Sequence, residues 1–358
     1  MFATAPYMEW AKSRPRPRID LAGSNLLACS LEDLPDARDA VDLAGESPEG
    51  YPPLVARIAR AHGVEPPRVA TGGGCSGANF LALAALLEAD GEALVESPFY
   101  DPLPGAIRTL GGRVAHFARR FEDGFDVDPA IVEAALTPRT RLLVLTNPHN
   151  PSGVLIAPER MRELVRLAER RGLRILVDEV YRDVVLDAEK RPAPAATLSE
   201  ACVSTSSLTK AYGLASLRCG WALASDALAR KIRRARDVVD VWSPIPADRL
   251  SVLAFDRLDA LAARSRALVE KNLARVREFL SATPLLECAP PRATLAFPRI
   301  RGVSDSAPFV ERLFQKTGVA VAPGHFFGAP AHFRIAFGGD PATVAEGLET
   351  IRRELESG

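Results

Sequence analysis

From residue 69 to residue 225 the chain alternates short, largely apolar runs with longer stretches of helical periodicity. The apolar runs are EALVE, RVAHF, RLLVLT, LRILVD, ACVSTS and GWALA. A run without a polar face has to be buried on both sides, which is the condition of a strand in a parallel sheet. The intervening segments supply the cover: the pattern predicts helices over about 53–62, 77–89, 101–110 and 128–136, and over APERMRELVRLAERR. This rhythm predicts an α/β fold, a mostly parallel sheet sandwiched by helices.

Past residue 225 the pattern changes. VVDVWSPIPADR reads as a Pro-rich elbow and 247–280 as one amphipathic helix; the strand TLAFPRI, a helix near 307–317, the strands VAVA and HFRIAF and a C-terminal helix follow. The expected organisation is a large α/β domain over 41–245 and a smaller α+β domain over 246–358. Residues 1–40 go with the smaller domain as an N-terminal arm, in which SRPRPR reads as extended chain.

Lys plus Arg and Asp plus Glu number 45 each in 358 residues, so no charge excess points to nucleic acid or an anionic membrane. A small molecule is the expected partner. The longest apolar run, Phe80 to Leu87, is too short to span a bilayer, and MFATAPYMEWAKSRPRPRID has no apolar signal core. The five cysteines (Cys29, Cys75, Cys202, Cys219, Cys288) are scattered without C-x-x-C spacing, which predicts neither a disulfide framework nor a metal site and fits a cytoplasmic location.

Chemistry in open α/β sheets gathers at the carboxyl ends of the strands. There, TGGGCSGANF carries G-x-G-x-x-G at Gly72, Gly74 and Gly77 ahead of a helical segment. Alone it would suit a dinucleotide, with Glu96 in place as the ribose-binding acid, although PPRVAT supplies only a brief strand before it. RLLVLT runs into NPHNPSG, LRILVD ends at Asp178 with Tyr181 close behind, and ACVSTS runs into SSLTK. Lys210 is conspicuous, because the chain has only six lysines and no other charge lies between Ala201 and Leu217. Hydride transfer has no need of an isolated lysine beside hydroxyls, whereas an aldehyde cofactor held as a Schiff base does.

This set of residues resembles that of the fold-type I pyridoxal-phosphate enzymes, the class I/II aminotransferases, from the glycine loop through Arg334 and in the family's order. The resemblance implies pyridoxal 5'-phosphate as cofactor, with Lys210 in SLTKAYGLASLRCGW as the Schiff-base lysine that also moves the substrate α-proton. It implies Ser207 and Arg218 at the phosphate, together with the backbone N–H groups of Gly74, Cys75 and Ser76 at a helix N-terminus. The glycine loop would then hold a phosphate and not a dinucleotide, and Glu96 becomes an ordinary strand-end acid. Asp178 is implied against the pyridine nitrogen, Tyr181 and Asn150 at the phenolic oxygen, Tyr100 stacked on the ring, and Arg334 with Asn150 at the substrate α-carboxylate.

Read from the residues alone, other roles stand beside these. Lys210 could pair with an unseen acid, Asp178 could cap a helix, and Asn147 could serve turn chemistry. Phe99 competes with Tyr100, and Arg218 or Arg334 could be solvated surface arginines. The reaction implied is transfer of an amino group between an α-amino acid and a 2-oxo acid by a homodimer, with β-elimination as the alternative. One departure concerns the partner subunit: relatives usually place a tyrosine a few residues before the glycine of ESPEGYPPL, where this chain has Ala44-Gly45-Glu46, with Tyr51 as a candidate substitute. No histidine has metal spacing; His149 lies in a turn and His325 near the expected substrate mouth.

Overall fold

The computed structural model describes residues 4–88 and 90–357. After a two-residue strand β1 (Ile19–Asp20) come β2 (Val69–Gly73), β3 (Glu92–Ser97), β4 (Arg113–Ala118), β5 (Thr140–Thr146), β6 (Arg174–Asp178), β7 (Cys202–Ser207) and β8 (Cys219–Leu223). Strands β2 to β8 form one seven-stranded sheet in the order β2-β8-β7-β6-β5-β3-β4. From β4 across to β7 the neighbours run parallel, whereas β8 is antiparallel to both β7 and β2. The fold is α/β with a mostly parallel sheet. Its single reversed strand is invisible to pattern reading, because a run buried on both faces looks the same in either direction.

Alternate residues of the central strands feed two separate cores, as the pleat requires. Leu142, Val144, Leu176 and Val203 face one side; Leu143, Leu145, Ile175 and Val177 face the other. Helices α1 (Pro6–Ser13), α2 (Ala37–Ala40) and α3 (Pro52–His62) precede the sheet. The first core is covered by α4 (Gly74–Leu86), α5 (Pro102–Thr109) and the later helix Asp226–Arg236, the second by α6 (Pro129–Ala135) and α7 (Pro158–Arg171). Helix α4 begins three residues earlier than the expected 77–89, because the glycine loop itself supplies its first turn; residue 89 lies outside the described residues. After β7 comes the short α8 (Leu208–Tyr212), stopped by Gly213 at φ 72°.

The expected helix over 247–280 is two helices, Ile245–Asp256 and Leu258–Ala282, broken at Arg257, which adopts φ −119°. TLAFPRI likewise divides into β10 (Leu295–Ala296) and β11 (Arg299–Ile300), after β9 (Leu286–Glu287); Pro298, which has no N–H to give a ladder, stands between them. β12 (Val319–Ala320), β13 (Ala322–Pro323) and β14 (Phe333–Ala336) complete the set, with β14 antiparallel between β10 and β13. A further core gathers Phe309, Leu313, Phe333, Ile335, Phe337 and Ile351.

The N-terminal arm carries a helix ahead of its extended stretch. Residues Pro6–Ser13 are helical, and only the Pro-containing stretch behind them is irregular before β1 pairs in parallel with β12. Pro15 and Pro17 end the helix, having no N–H to continue it. Among the described residues no helix is long and apolar enough to cross a membrane.

Candidate active site

A cavity of about 210 Å³ opens where β5, β6 and β7 end. Cys75, Ser76, Tyr100, Asn150, Asp178, Tyr181, Ser207, Lys210 and Arg218 line it; Gly74 and Arg334 do not. Met8, Asn25, Thr146, Val180 and Thr209 complete the lining, and none of these was singled out by sequence reading.

Lys210 owes its place to the β7–α8 junction. Ser207 ends the strand and caps the helix, its Oγ accepting the Thr209 N–H at 3.3 Å. The Lys210 amine donates to Asn25 Oδ1 at 2.6 Å and to Ser24 Oγ at 3.1 Å. Neither partner is an acid, so the unseen-acid alternative is not what the structure contains. Burial, reinforced by the Arg334 charge and opposed by Asp178, brings the amine down to about 7.

Asp178 closes β6 and is 4% exposed. Its Oδ2 accepts the Asn79 amide at 2.7 Å, and Oδ1 accepts the Val180 N–H at 3.1 Å and the Cys75 thiol at 3.3 Å. Burial pushes the carboxyl above its usual range, and these hydrogen bonds, with the Lys210 charge, pull it back. Asn79 is in turn fixed by the Thr205 hydroxyl, which donates to Asn79 Oδ1. A signal for Asn79 existed: it is the one amide in the otherwise apolar ANFLALAALL.

At the other end of the cavity β2 turns directly into α4. Gly74 has φ +72°, and a Cβ there would lie 2.3 Å from Arg218 Nη2; a Cβ on Gly220 would lie 2.2 Å from the Gly74 carbonyl carbon. Only glycines allow this approach of β8, α4 and Arg218. One expectation is corrected here. The Gly74 N–H donates to the Arg218 carbonyl at 2.6 Å and is not free for a phosphate, which leaves the first-turn N–H groups of Cys75 and Ser76. Arg218 itself donates from Nη2 to the Gly73 carbonyl at 3.0 Å, at the exposed rim. The Thr209 hydroxyl is buried in the cavity wall without a partner among the described residues.

Tyr100 lines the cavity, whereas Phe99 turns away to stack on His116 with centroids 5.0 Å apart. Within NPHNPSG, Asn147 takes the Ile156 N–H at 3.1 Å, and His149 is held between Ser152 Oγ at 2.7 Å and the Pro98 carbonyl at 2.9 Å. Both shape the turn that delivers Asn150. The Asn150 Oδ1 accepts from Arg334 Nη1 at 2.8 Å, so its NH₂ end is the part with donors to offer.

Arg334 is 0% exposed, which removes the solvated-arginine alternative. Its Nη2 donates to the Ala22 carbonyl at 2.8 Å and to the Tyr7 hydroxyl at 2.5 Å. Its Cζ lies 4.8 Å from the Tyr7 ring centre and 4.7 Å from that of Phe327, two rings 5.4 Å apart that together form a notch for the cation.

Three further residues take their places in the fold. Glu96 is no ordinary strand-end acid: it is 1% exposed, paired with the buried Arg119 at 2.7 Å, and accepts the Thr146 N–H at 2.7 Å. Tyr51, the candidate contact to the partner subunit, opens α3 with its side chain partly packed on the hydrophobic core. His325 lines a different cavity, beside Trp10 and Phe326.

The donors fit pyridoxal phosphate. A helix N-terminus, Arg218, Ser207 and the unpartnered Thr209 hydroxyl suit a phosphate dianion, and a buried carboxylate suits a cationic ring nitrogen. Comparison with known proteins agrees. The family described as Aminotransferase class I and II matches residues 21–351. Capreomycidine synthase of Streptomyces vinaceus is 34% identical over 289 residues, covering 80% of this chain and 74% of that protein. Among solved structures, a PLP-dependent aminotransferase from Streptococcus suis superposes with a TM-score of 0.93 at 25% identity, over 99% of this chain and 98% of that one. The PLP-dependent cyclase OrfR superposes with a TM-score of 0.88 at 28% identity, over 99% and 97%. The chain belongs to the aminotransferase class I and II family, and pyridoxal 5'-phosphate is its cofactor.

Proposed function

We propose that the protein is an aminotransferase that moves the amino group of an α-amino acid to a 2-oxo acid, with Lys210 as the covalent and proton-moving residue. The observation that carries this reading is a lysine amine near neutrality and a buried carboxylate on one cavity, with the buried Arg334 bonded to Asn150 of its lining. The bound cofactor supplies the electron sink that makes the substrate α-proton acidic.

The residues do the rest. With its midpoint at about 7, the Lys210 amine can attack as a base and return a proton at the same pH. Asp178, held by Asn79 and the Val180 N–H, opposes the ring nitrogen as an anion. Arg218, Ser207, Thr209 and the N–H groups of Cys75 and Ser76 hold the phosphate, Tyr181 and the Asn150 amide orient the ring oxygen, and Tyr100 covers the ring face. Arg334, steadied by Asn150, takes the α-carboxylate.

The likeness to capreomycidine synthase and to the cyclase OrfR favours a second reading, in which loss of a β-substituent leads to elimination or ring closure. Incubating the holoenzyme with single amino acids separates the two. Transamination releases up to one 2-oxo acid per site, stops, and resumes when a second 2-oxo acid is added. Continuous ammonia release, or a cyclised product without any 2-oxo acid, sinks the aminotransferase reading.

The proposal includes a homodimer. It is supported by exposed apolar side chains on two adjoining segments, Leu43 at 84% and Val238 at 88% with Val41, Val239, Val241 and Trp242 around them. Ile245 packs at Gly45, and Arg249 reaches the Ala44 carbonyl, which ties the segments together. We take 41–245 as the cofactor-binding unit, with 1–40 and 246–358 as the arm and the smaller domain; of the lining residues only Met8 and Asn25 come from outside 41–245. Five unpaired cysteines support a cytoplasmic location.

A further inference from the structure

Arg334 carries five N–H donors. Nη1 gives one to Asn150 Oδ1 at 2.8 Å, while Nη2 gives one to the Ala22 carbonyl at 2.8 Å and one to the Tyr7 hydroxyl at 2.5 Å. Among the described residues the Nε–H has no partner. A carboxylate takes a two-pronged hold on a guanidinium along the Nη1/Nη2 edge or the Nε/Nη2 edge, and Nη2 belongs to both. With both Nη2 hydrogens committed, neither edge is open.

Of the two acceptors on Nη2, the Ala22 carbonyl is backbone in a segment tied down on either side: the Leu21 carbonyl takes the Ala336 N–H at 2.7 Å, and the Gly23 N–H donates to Asp20 at 2.9 Å. Tyr7 is a side chain on the short helix α1, whose next residue, Met8, lines the catalytic cavity. We propose that the Tyr7 hydroxyl holds the place of one substrate carboxylate oxygen on Arg334 and gives it up when substrate binds, so that Tyr7 sets the enzyme's affinity for α-carboxylates. This rests on the reading of Arg334 as the carboxylate residue.

The exchange is physically balanced. A fully buried guanidinium left with an idle Nη2–H would pay the desolvation of that donor, and the hydroxyl prevents this in the free enzyme. An incoming carboxylate is the stronger, charge-assisted acceptor. The displaced hydroxyl also keeps a partner, since it donates to the Ala22 carbonyl at 3.1 Å. What holds Tyr7 in place is the anchoring of α1, where the Tyr7 N–H donates to Asp101 Oδ2 at 3.0 Å, and ring packing on Phe327 and Trp10.

The test is calorimetric titration of the holoenzyme with propanoate, a carboxylate that has no amine to react. Tyr7→Phe keeps the ring, frees Nη2 and should tighten propanoate binding about tenfold, the scale of one hydrogen bond to a charged group. Asp101→Ala loosens α1 and should tighten binding in the same direction, which carries the test alone if Tyr7→Phe does not fold. A merely structural lesion would weaken binding. Unchanged or weaker binding in the folded variants overturns the place-holder role. Arg334→Gln should abolish binding in either background; if it does not, the carboxylate reading of Arg334 fails instead, whatever Tyr7 does.

Discussion

Lys210 offers the sharpest quantitative test. An ordinary lysine with a midpoint of 10.5 is neutral in roughly one molecule in three thousand at pH 7, whereas a midpoint of about 7 makes about half of the amines neutral. Only the neutral amine condenses with an aldehyde. The rate at which the cofactor-free protein reacts with pyridoxal, followed by stopped-flow absorbance, should therefore rise through a midpoint near pH 7 and level off well below pH 10. After burial, the largest influence holding the midpoint down is the Arg334 charge. Arg334→Gln removes that charge, makes the ammonium less unfavourable, and should move the midpoint upward by about one unit, the scale of one nearby charge. Lys210→Ala supplies the baseline. A parent profile that climbs only near pH 10, or an Arg334→Gln midpoint that stays put or falls, would refute the reasoning.

Three other substitutions probe separate parts of the site. Gly74→Ala places a methyl 2.3 Å from Arg218 Nη2 at φ +72°, so binding of pyridoxal phosphate should weaken about tenfold or more while binding of pyridoxal, which has no phosphate, is unchanged. Asn79→Ala removes the closest donor to Asp178 and should raise its already elevated pKa further. Because the folded state then binds the extra proton, stability is lost as pH rises through the Asp178 midpoint: urea unfolding of the cofactor-free protein should show a deficit of about 1.5–3 kcal/mol at pH 8 that shrinks toward pH 4. A deficit independent of pH would count against it. Glu96→Gln strands the Arg119 charge in the core and should cost about 3–5 kcal/mol in denaturant unfolding, with a loss below about 1 kcal/mol contradicting the buried pair.

Most strands of the large sheet were legible because they are largely apolar runs bounded by turn residues, and Lys210 because a lysine without charged neighbours is rare in this chain. Other parts depend on long-range geometry. PYMEWAKS is too short for helical periodicity to stand out, and α1 is anchored where the Tyr7 N–H meets Asp101, 94 residues away. Ser24 and Asn25 reach Lys210 across 186 and 185 residues. Glu96 reads as a ribose-binding or strand-end acid until β3 is seen beside β4, where the register sets Ser97 opposite Ala118 and brings Arg119 within reach. The commitment of the Gly74 N–H follows from β8 running backwards beside β2, which no residue pattern announces.

The central claim is that one lysine of the six carries the cofactor. Borohydride reduction of the holoenzyme, followed by peptide mass mapping, fixes the cofactor on whichever lysine holds it. The account predicts a single modified peptide, the one containing Lys210, and no adduct in Lys210→Ala. An adduct on any of the other five lysines, or none on the parent, would contradict it.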